Sequence, residues 1–69
     1  MNDKAVGRRV TAQRELAEMT QTELAVSAGL SVVTIQRIEK GVTSPRWRDL
    51  ERIGKACGVD TRMRFVERS

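Results

Sequence analysis

The sequence predicts a mainly α-helical fold, a compact bundle of four helices followed by one short C-terminal β-strand. Capping residues and glycines divide residues 3–58 into four segments whose apolar residues recur at helical spacing. After residue 59 the apolar residues recur at every second position, which is typical of a strand. Because a chain of 69 residues fits one domain, residues 1–69 are assigned to a single domain.

The first two helices are predicted from the residues at their ends. The first runs from about Asp3, a candidate N-cap, to Met19. The second follows Thr20, because Thr20 and Glu23 have the spacing of a capping box, in which each side chain bonds the backbone amide of the other residue. It ends before Gly29, since glycine suits the left-handed conformation of a helix C-cap.

The third and fourth helices show similar end signals. Ser31 caps a third helix that runs to about Lys40 and is ended by Gly41. Pro45 fits the first turn of a fourth helix with Ser44 as its N-cap, and this helix ends before the last glycine of the chain. Trp47 is expected to anchor the fourth helix in the core or at its edge. The other residues expected to face the core are Val6, Val10, Ala17, Leu24, Ala25, Ala28, Leu30, Ile35, Ile38, Leu50, Ile53 and Cys57.

The strand is predicted over Thr61–Val66, with Thr61, Met63 and Phe65 on one side. A lone strand leaves backbone groups unpaired, and no other segment has the pattern of a mate. The simplest partner is the same strand of a second copy, antiparallel about a two-fold axis. Thr61, Met63 and Phe65 would then form a homodimer interface; the alternative is that Met63 and Phe65 fold back onto their own domain.

The composition limits the classes of function. Lys and Arg number 13 against 9 acidic residues, a net charge of +4, which favours an anionic partner but also fits an ordinary solvated surface. With no His and a single Cys, Cys57, we expect no metal site, no disulfide within the chain and no enzymatic acid–base chemistry. We also expect no cofactor and no small-molecule ligand. No long apolar run or signal peptide is present, which favours a cytoplasmic protein that does not enter a membrane.

Residues 21–40 are predicted to form a helix, a glycine turn and a second helix. Small or apolar residues such as Ala25 lie where two such helices must cross closely. Ile35 and Ile38 supply the core side of the second helix, which leaves its polar and basic side facing outward. A supported helix of this kind can enter the major groove of DNA, which is about 12 Å wide.

A specific combination of short motifs extends over residues 19–59, well over half of the chain. Its parts are Thr20-Gln21, Glu23-Leu24-Ala25, Gly29-Leu30-Ser31, Ile35, Ile38-Glu39-Lys40-Gly41 and Pro45. With these motifs the sequence resembles the helix-turn-helix family of phage Cro proteins and lambdoid repressors, the XRE-type DNA-binding proteins, which is also common among bacterial antitoxins. The resemblance implies a lambda-repressor-like bundle and dimeric binding to near-palindromic operators in double-stranded DNA. The strand-like tail departs from repressors that end in a fifth helix and is closer to Cro-type proteins and to some antitoxins, which dimerise through a C-terminal strand.

The resemblance implies base contacts from the recognition helix, the second helix of the motif. The residues concerned are Val32, Val33, Gln36 and Arg37. Valine methyl groups suit the methyl group of thymine, and Arg37 can fork to guanine O6 and N7. Val32 is preferred over Val33, and the alternative for either valine is packing on the core. A phosphate contact is the alternative for Arg37 and for Gln36.

Phosphate contacts are expected at the starts of both motif helices and after the end of the second. The residues concerned are Gln21, Ser31, Thr34, Lys40, Thr43, Ser44 and Arg46. Gln21 is otherwise a plain surface residue at a helix start, and Thr34 otherwise bonds its own helix backbone.

The family pattern also implies a structural salt bridge, partly buried, between Arg14 on the first helix and Glu39 at the end of the third. The alternative is that Arg14 binds a DNA phosphate.

These features predict a dimeric, sequence-specific transcriptional repressor of the phage Cro type. The alternative is an antitoxin-type autorepressor that also binds a toxin protein. A toxin-binding segment is typically a flexible tail beyond the DNA-binding domain, whereas only residues 67–69 follow the predicted strand. The short chain therefore favours the Cro-type regulator.

Overall fold

The computed structural model describes residues 2–58, which form four α-helices. They are α1 (Asp3–Leu16), α2 (Gln21–Ala28), α3 (Val32–Lys40) and α4 (Trp47–Ala56). No strand occurs within residues 2–58, and the mainly α-helical class with four helices is confirmed there. The predicted strand and its dimer residues Thr61, Met63 and Phe65 lie outside the described residues. None of the four helices combines the length and the apolar character that crossing a membrane requires.

The start of α2 and the ends of α2 and α3 match the sequence prediction closely. At the start of α2, Thr20 Oγ1 accepts from the Glu23 amide at 3.0 Å, and Glu23 Oε1 accepts from the Thr20 amide at 2.8 Å. Gly29 ends α2 with φ +71° and Gly41 ends α3 with φ +75°. Both lie in the left-handed region that glycine adopts without steric cost, so the turn between α2 and α3 follows directly from the sequence.

The ends of α1 differ from the prediction. Asn2, not Asp3, is the N-cap, and its Oδ1 accepts two backbone amides of the first turn at 2.8 and 3.2 Å. At the other end α1 stops at Leu16 rather than at Met19. The helix ends there because the backbone at Glu18 takes a left-handed conformation, with φ +57°.

The start of α4 also differs from the prediction. Arg46 is the N-cap residue and makes no capping hydrogen bond with its side chain, so α4 begins at Trp47 and Pro45 lies before the helix. Ser44 was the expected cap, but its hydroxyl donates to Asp3 Oδ2 at 2.7 Å. The loop between α3 and α4 is therefore tied to the start of α1.

The core lies where α3 packs against α1 and α2 and where α4 packs against α2. Leu24, Ile35 and Ile38 are the large side chains that are fully buried. Trp47, expected as a core or edge anchor of the fourth helix, is 66% exposed and lies at the edge of the domain, because it occupies the first position of α4. Cys57 is half-buried, and burial raises the pKa of its thiol. The buried residues are Val6, Val10, Leu24, Ala25, Ala28, Ile35, Ile38 and Ile53.

The backbone of α1 lies very close to the end of α3 at Gly7. A Cβ atom at this position would lie 2.4 Å from the carbonyl oxygen of Ile38 and 2.6 Å from that of Glu39. A second close approach brings Gly41 against Lys4, whose Cα would be 2.7 Å from a Cβ at residue 41. Glycine at position 7 therefore lets α1 hold the end of α3 by direct backbone contact.

Candidate nucleic-acid interface

Four exposed residues of α3 lie on one side of the helix, because they are three or four positions apart. They are Val33, Gln36, Arg37 and Lys40, and together they are named the outer face. Ile35 and Ile38 lie on the other side of α3 and are fully buried. The outer face therefore combines two cations, one amide and one valine on a helix whose opposite side is fixed in the core.

Val32 and Val33 are neighbours in the chain but face different surroundings. Val33 is 49% exposed, whereas Val32 is half-buried and packs against the core. On the sequence alone, Val32 was the preferred residue for a base contact. In the structure the methyl groups of Val33 are the more accessible ones. Successive residues of a helix point about 100° apart, so Val32 can face the core while Val33 faces outward.

Ser31 and Thr34 hydrogen-bond to each other at the start of α3. Ser31 Oγ accepts from the Thr34 amide at 3.1 Å, and the two hydroxyl oxygens lie 2.9 Å apart. One of these hydroxyls donates to the other, so the pair keeps a single hydroxyl proton for an outside acceptor such as a phosphate.

Lys40, which ends α3, and the residues that follow it differ in how freely they can reach a ligand. Lys40, Ser44 and Arg46 are exposed, and Thr43 is half-buried. The Ser44 hydroxyl donates its only proton to Asp3. While that bond holds, Ser44 has no proton to offer a phosphate, whereas Lys40 and Arg46 can reorient.

Arg14 of α1 and Glu39 of α3 form a bidentate ion pair. Arg14 Nε donates to Glu39 Oε2 at 2.7 Å, and Nη2 donates to Oε1 at 3.2 Å. The two side chains are 15% and 6% exposed, respectively. Arg14 Nη1 also donates to the carbonyl oxygen of Met19, at 2.9 Å, in the turn before α2. The guanidinium therefore links α1, the turn after it and α3, and the structure brings together the pair expected from the sequence.

The surroundings of Glu39 favour its ionised form. Burial by itself would raise the pKa of this carboxyl, but hydrogen bonds from Arg14 and Gln21, together with the Arg14 charge, lower the pKa below its ordinary value of 4.5. The hydrogen bond to Glu39 in turn raises the pKa of Arg14. The pair is thus fully charged at neutral pH.

Gln21, the first residue of α2, belongs to the same network. Its Nε2 donates to Glu39 Oε1 at 3.1 Å, and its side chain is half-buried. From the sequence, Gln21 was expected to contact a phosphate and Glu39 to pair with Arg14, and no contact between Gln21 and Glu39 was predicted. They are 18 residues apart on different helices, so no spacing rule within one helix could have linked them.

Comparison with known proteins supports the same assignment of the motif. A family model described as a helix-turn-helix domain matches residues 5–64, which include α2, α3 and the glycine turn between them. No curated protein and no solved structure matched the chain. Because the family model covers most of the chain, the protein belongs to the helix-turn-helix domain family, whose members are generally non-enzymatic, DNA-binding regulators.

Proposed function

We propose that this protein binds double-stranded DNA at specific sequences and acts as a dimeric transcriptional repressor of the phage Cro type. The observation that supports the proposal is the outer face of α3, which is exposed and basic while the other side of the helix is fully buried. Positive charge favours approach to the DNA phosphates. Donor groups and methyl groups on a rigid helix suit the edges of bases in the major groove.

Base reading is assigned to the outer face. Arg37 can donate two hydrogen bonds to guanine O6 and N7, and Gln36 can pair with adenine N6 and N7. The Val33 methyl groups suit the methyl group of thymine, and Val32 offers only the part of its side chain that the core leaves free. Each good bidentate pair discriminates against a wrong base by about 1–3 kcal/mol.

Phosphate contacts would fix the position of α3 in the groove without reading sequence. Lys40, at the C-terminal end of the outer face, and Arg46, in the loop that follows, supply exposed cations, and the start of α2 offers free backbone amides near the positive end of its helix dipole. Ser44 takes part only if its hydroxyl leaves Asp3. The proposed phosphate-contact residues are Gln21, Ser31, Thr34, Lys40, Thr43, Ser44 and Arg46.

The dimer is proposed from the alternating pattern of Thr61, Met63 and Phe65 in the tail. Two copies related by a two-fold axis would place their recognition helices about 34–36 Å apart, on successive major grooves. The operator should then be nearly palindromic.

Selection of bound duplexes from a random DNA pool tests the proposed function. The expected product is one enriched motif with two-fold symmetry and half-sites about one helical turn apart. A motif without symmetry would contradict the dimer, and a pool that shows no enrichment would contradict sequence-specific binding altogether.

Arg37→Ala and Arg46→Ala should weaken binding in different ways. Arg37→Ala should relax the preference at one base pair of each half-site, by about 1–3 kcal/mol, because a base contact is lost. Arg46→Ala should weaken all duplexes alike and should make the salt slope of log K shallower by about 0.9. Affinities for single-base variants of the selected site, measured over a range of salt, separate the two effects.

Arg8→Ala is the matched control, because it removes the same charge from an exposed position on α1. It should preserve the base preferences. If the Arg37→Ala variant and the unmodified protein had the same preference at every base pair, Arg37 would not contact a base.

Phe65→Glu should separate the proposed dimer into monomers. A carboxylate on the apolar side of the predicted tail strand would have to be buried in the proposed interface, at a high cost in free energy. Sedimentation should show a halved mass, and affinity for the full palindrome should fall more than affinity for a half-site. A Phe65→Glu variant that remained dimeric would rule out the strand interface.

A further inference from the structure

We infer that Glu39 is a positioning residue for DNA binding, whose carboxylate orients the Gln21 side chain so that an Nε2 proton faces a DNA phosphate. The inference rests on the proposed function, because its ligand is the backbone of double-stranded DNA. It assigns Glu39 a role beyond its ion pair with Arg14, and it follows from the hydrogen bond that joins α2 to α3.

The two ends of the Gln21 side-chain amide differ as hydrogen-bonding groups. The amide has a donor end, Nε2, and an acceptor end, Oε1, whereas an ionised carboxylate can only accept. Glu39 therefore selects the orientation in which Nε2 points toward it, as observed at 3.1 Å. Nε2 carries a second proton, which remains available for another acceptor. If the amide were reversed, the carbonyl oxygen would occupy the place of that donor and would repel a phosphate oxygen.

Glu39 is held firmly enough to impose this orientation. Its side chain is 6% exposed, and Arg14 bonds both of its oxygens. Its backbone carbonyl lies against Gly7 of α1, so the end of α3 has little room to shift. The Gln21 amide on α2, which would donate to the phosphate, is thereby linked to the recognition helix itself. This link fixes the position of the phosphate contact relative to the outer face.

Glu39→Gln provides a test in which charge and positioning predict opposite results. The substitution removes a negative charge, so long-range electrostatics alone should tighten binding to a polyanion. If Glu39 instead orients Gln21, the substitution should weaken binding by about 3- to 10-fold, which is the effect expected from the loss of one hydrogen bond. Glu51→Gln is the matched control: it makes the same charge change at an exposed position of α4 and should bind as tightly as the unmodified protein or more tightly. Affinities for the selected duplex are compared at a temperature where circular dichroism shows each variant folded.

Gln21→Met supplies a second variant that keeps the Arg14–Glu39 pair and the length of the side chain. It should weaken binding to a similar extent as Glu39→Gln. The double variant should be no weaker than Gln21→Met alone, because both changes remove the same phosphate bond. Additive losses would mean that Glu39 acts independently of Gln21 and would overturn the inference.

The unmodified protein gives an independent measurement should Glu39→Gln fail to fold. Addition of the selected duplex should shift the NMR signals of the Gln21 side-chain NH2 group, and unchanged signals would overturn the inference. If the unmodified protein preferred no duplex, the proposed function itself would fail. If it bound the duplex and Glu39→Gln bound as tightly as Glu51→Gln, only the role of Glu39 would fail.

Discussion

The Gly7→Ala variant is expected to unfold at a lower denaturant concentration than the unmodified protein, although alanine is the better helix former. In an open helix the change would stabilise by about 1 kcal/mol. Here the new Cβ would lie 2.4 Å from the Ile38 carbonyl oxygen and 2.6 Å from that of Glu39, and both obstacles are backbone atoms. Pushing α1 away from α3 should cost about 3 kcal/mol, the upper end for overpacking a core. Urea unfolding followed by circular dichroism measures the difference.

Ala12→Gly calibrates that result within the same helix. Ala12 is exposed on α1, so its replacement should cost only the intrinsic preference for alanine, about 1 kcal/mol. A Gly7→Ala variant that gained stability by a similar amount would show that α1 and α3 are not in backbone contact at this point.

Glu39→Ala is expected to be the most destabilising single change at the interface, with a loss of about 3 kcal/mol in the free energy of unfolding. It removes both acceptors of Arg14 and the partner of Gln21, and it leaves a guanidinium that is 15% exposed without its counter-charge. Glu51→Ala, which removes an exposed carboxylate from α4, should change stability by less than about 0.5 kcal/mol. Equal unfolding midpoints for the two variants would contradict a stabilising role for the ion pair.

The same pair should make stability depend on pH in the acid range. The hydrogen bonds of Glu39, which outweigh its burial, lower the pKa of its carboxyl in the folded protein below the ordinary value of 4.5. Its contribution is therefore complete above about pH 4.5 and is lost as the pH falls through the lower folded-state pKa. The difference in unfolding free energy between the unmodified protein and Glu39→Ala should shrink over this range. A difference that stayed constant with pH would mean that the carboxylate charge contributes nothing.

Local signals in the sequence predicted the helix-turn-helix unit well. The capping box of Thr20 and Glu23 and the glycines at 29 and 41 act within a few residues of the chain, so their effect can be read from spacing alone. The buried residues Ile35 and Ile38 likewise follow from helical periodicity. Once these two residues are assigned to the core side of α3, the outer face is predicted as the opposite side of the same helix.

Contacts between distant segments were not predictable in this way. Ser44 looked like a helix cap, but it bonds Asp3, 41 residues away, and the N-cap residue of α4 is Arg46, whose side chain makes no capping hydrogen bond. Gly7 carries no turn signal, and its importance depends on where the end of α3 lies. The bond between Gln21 and Glu39 likewise requires the packing of α2 on α3. In each case the deciding partner is set by tertiary structure.

NMR amide shifts recorded while the selected duplex is added test most directly whether the outer face of α3 lies in the groove. The largest changes are expected at Val33, Gln36 and Arg37, with Ala12 on the exposed side of α1 unchanged. The opposite pattern, in which Ala12 and the neighbouring arginines of α1 shift while the amides of α3 stay in place, would contradict recognition by α3.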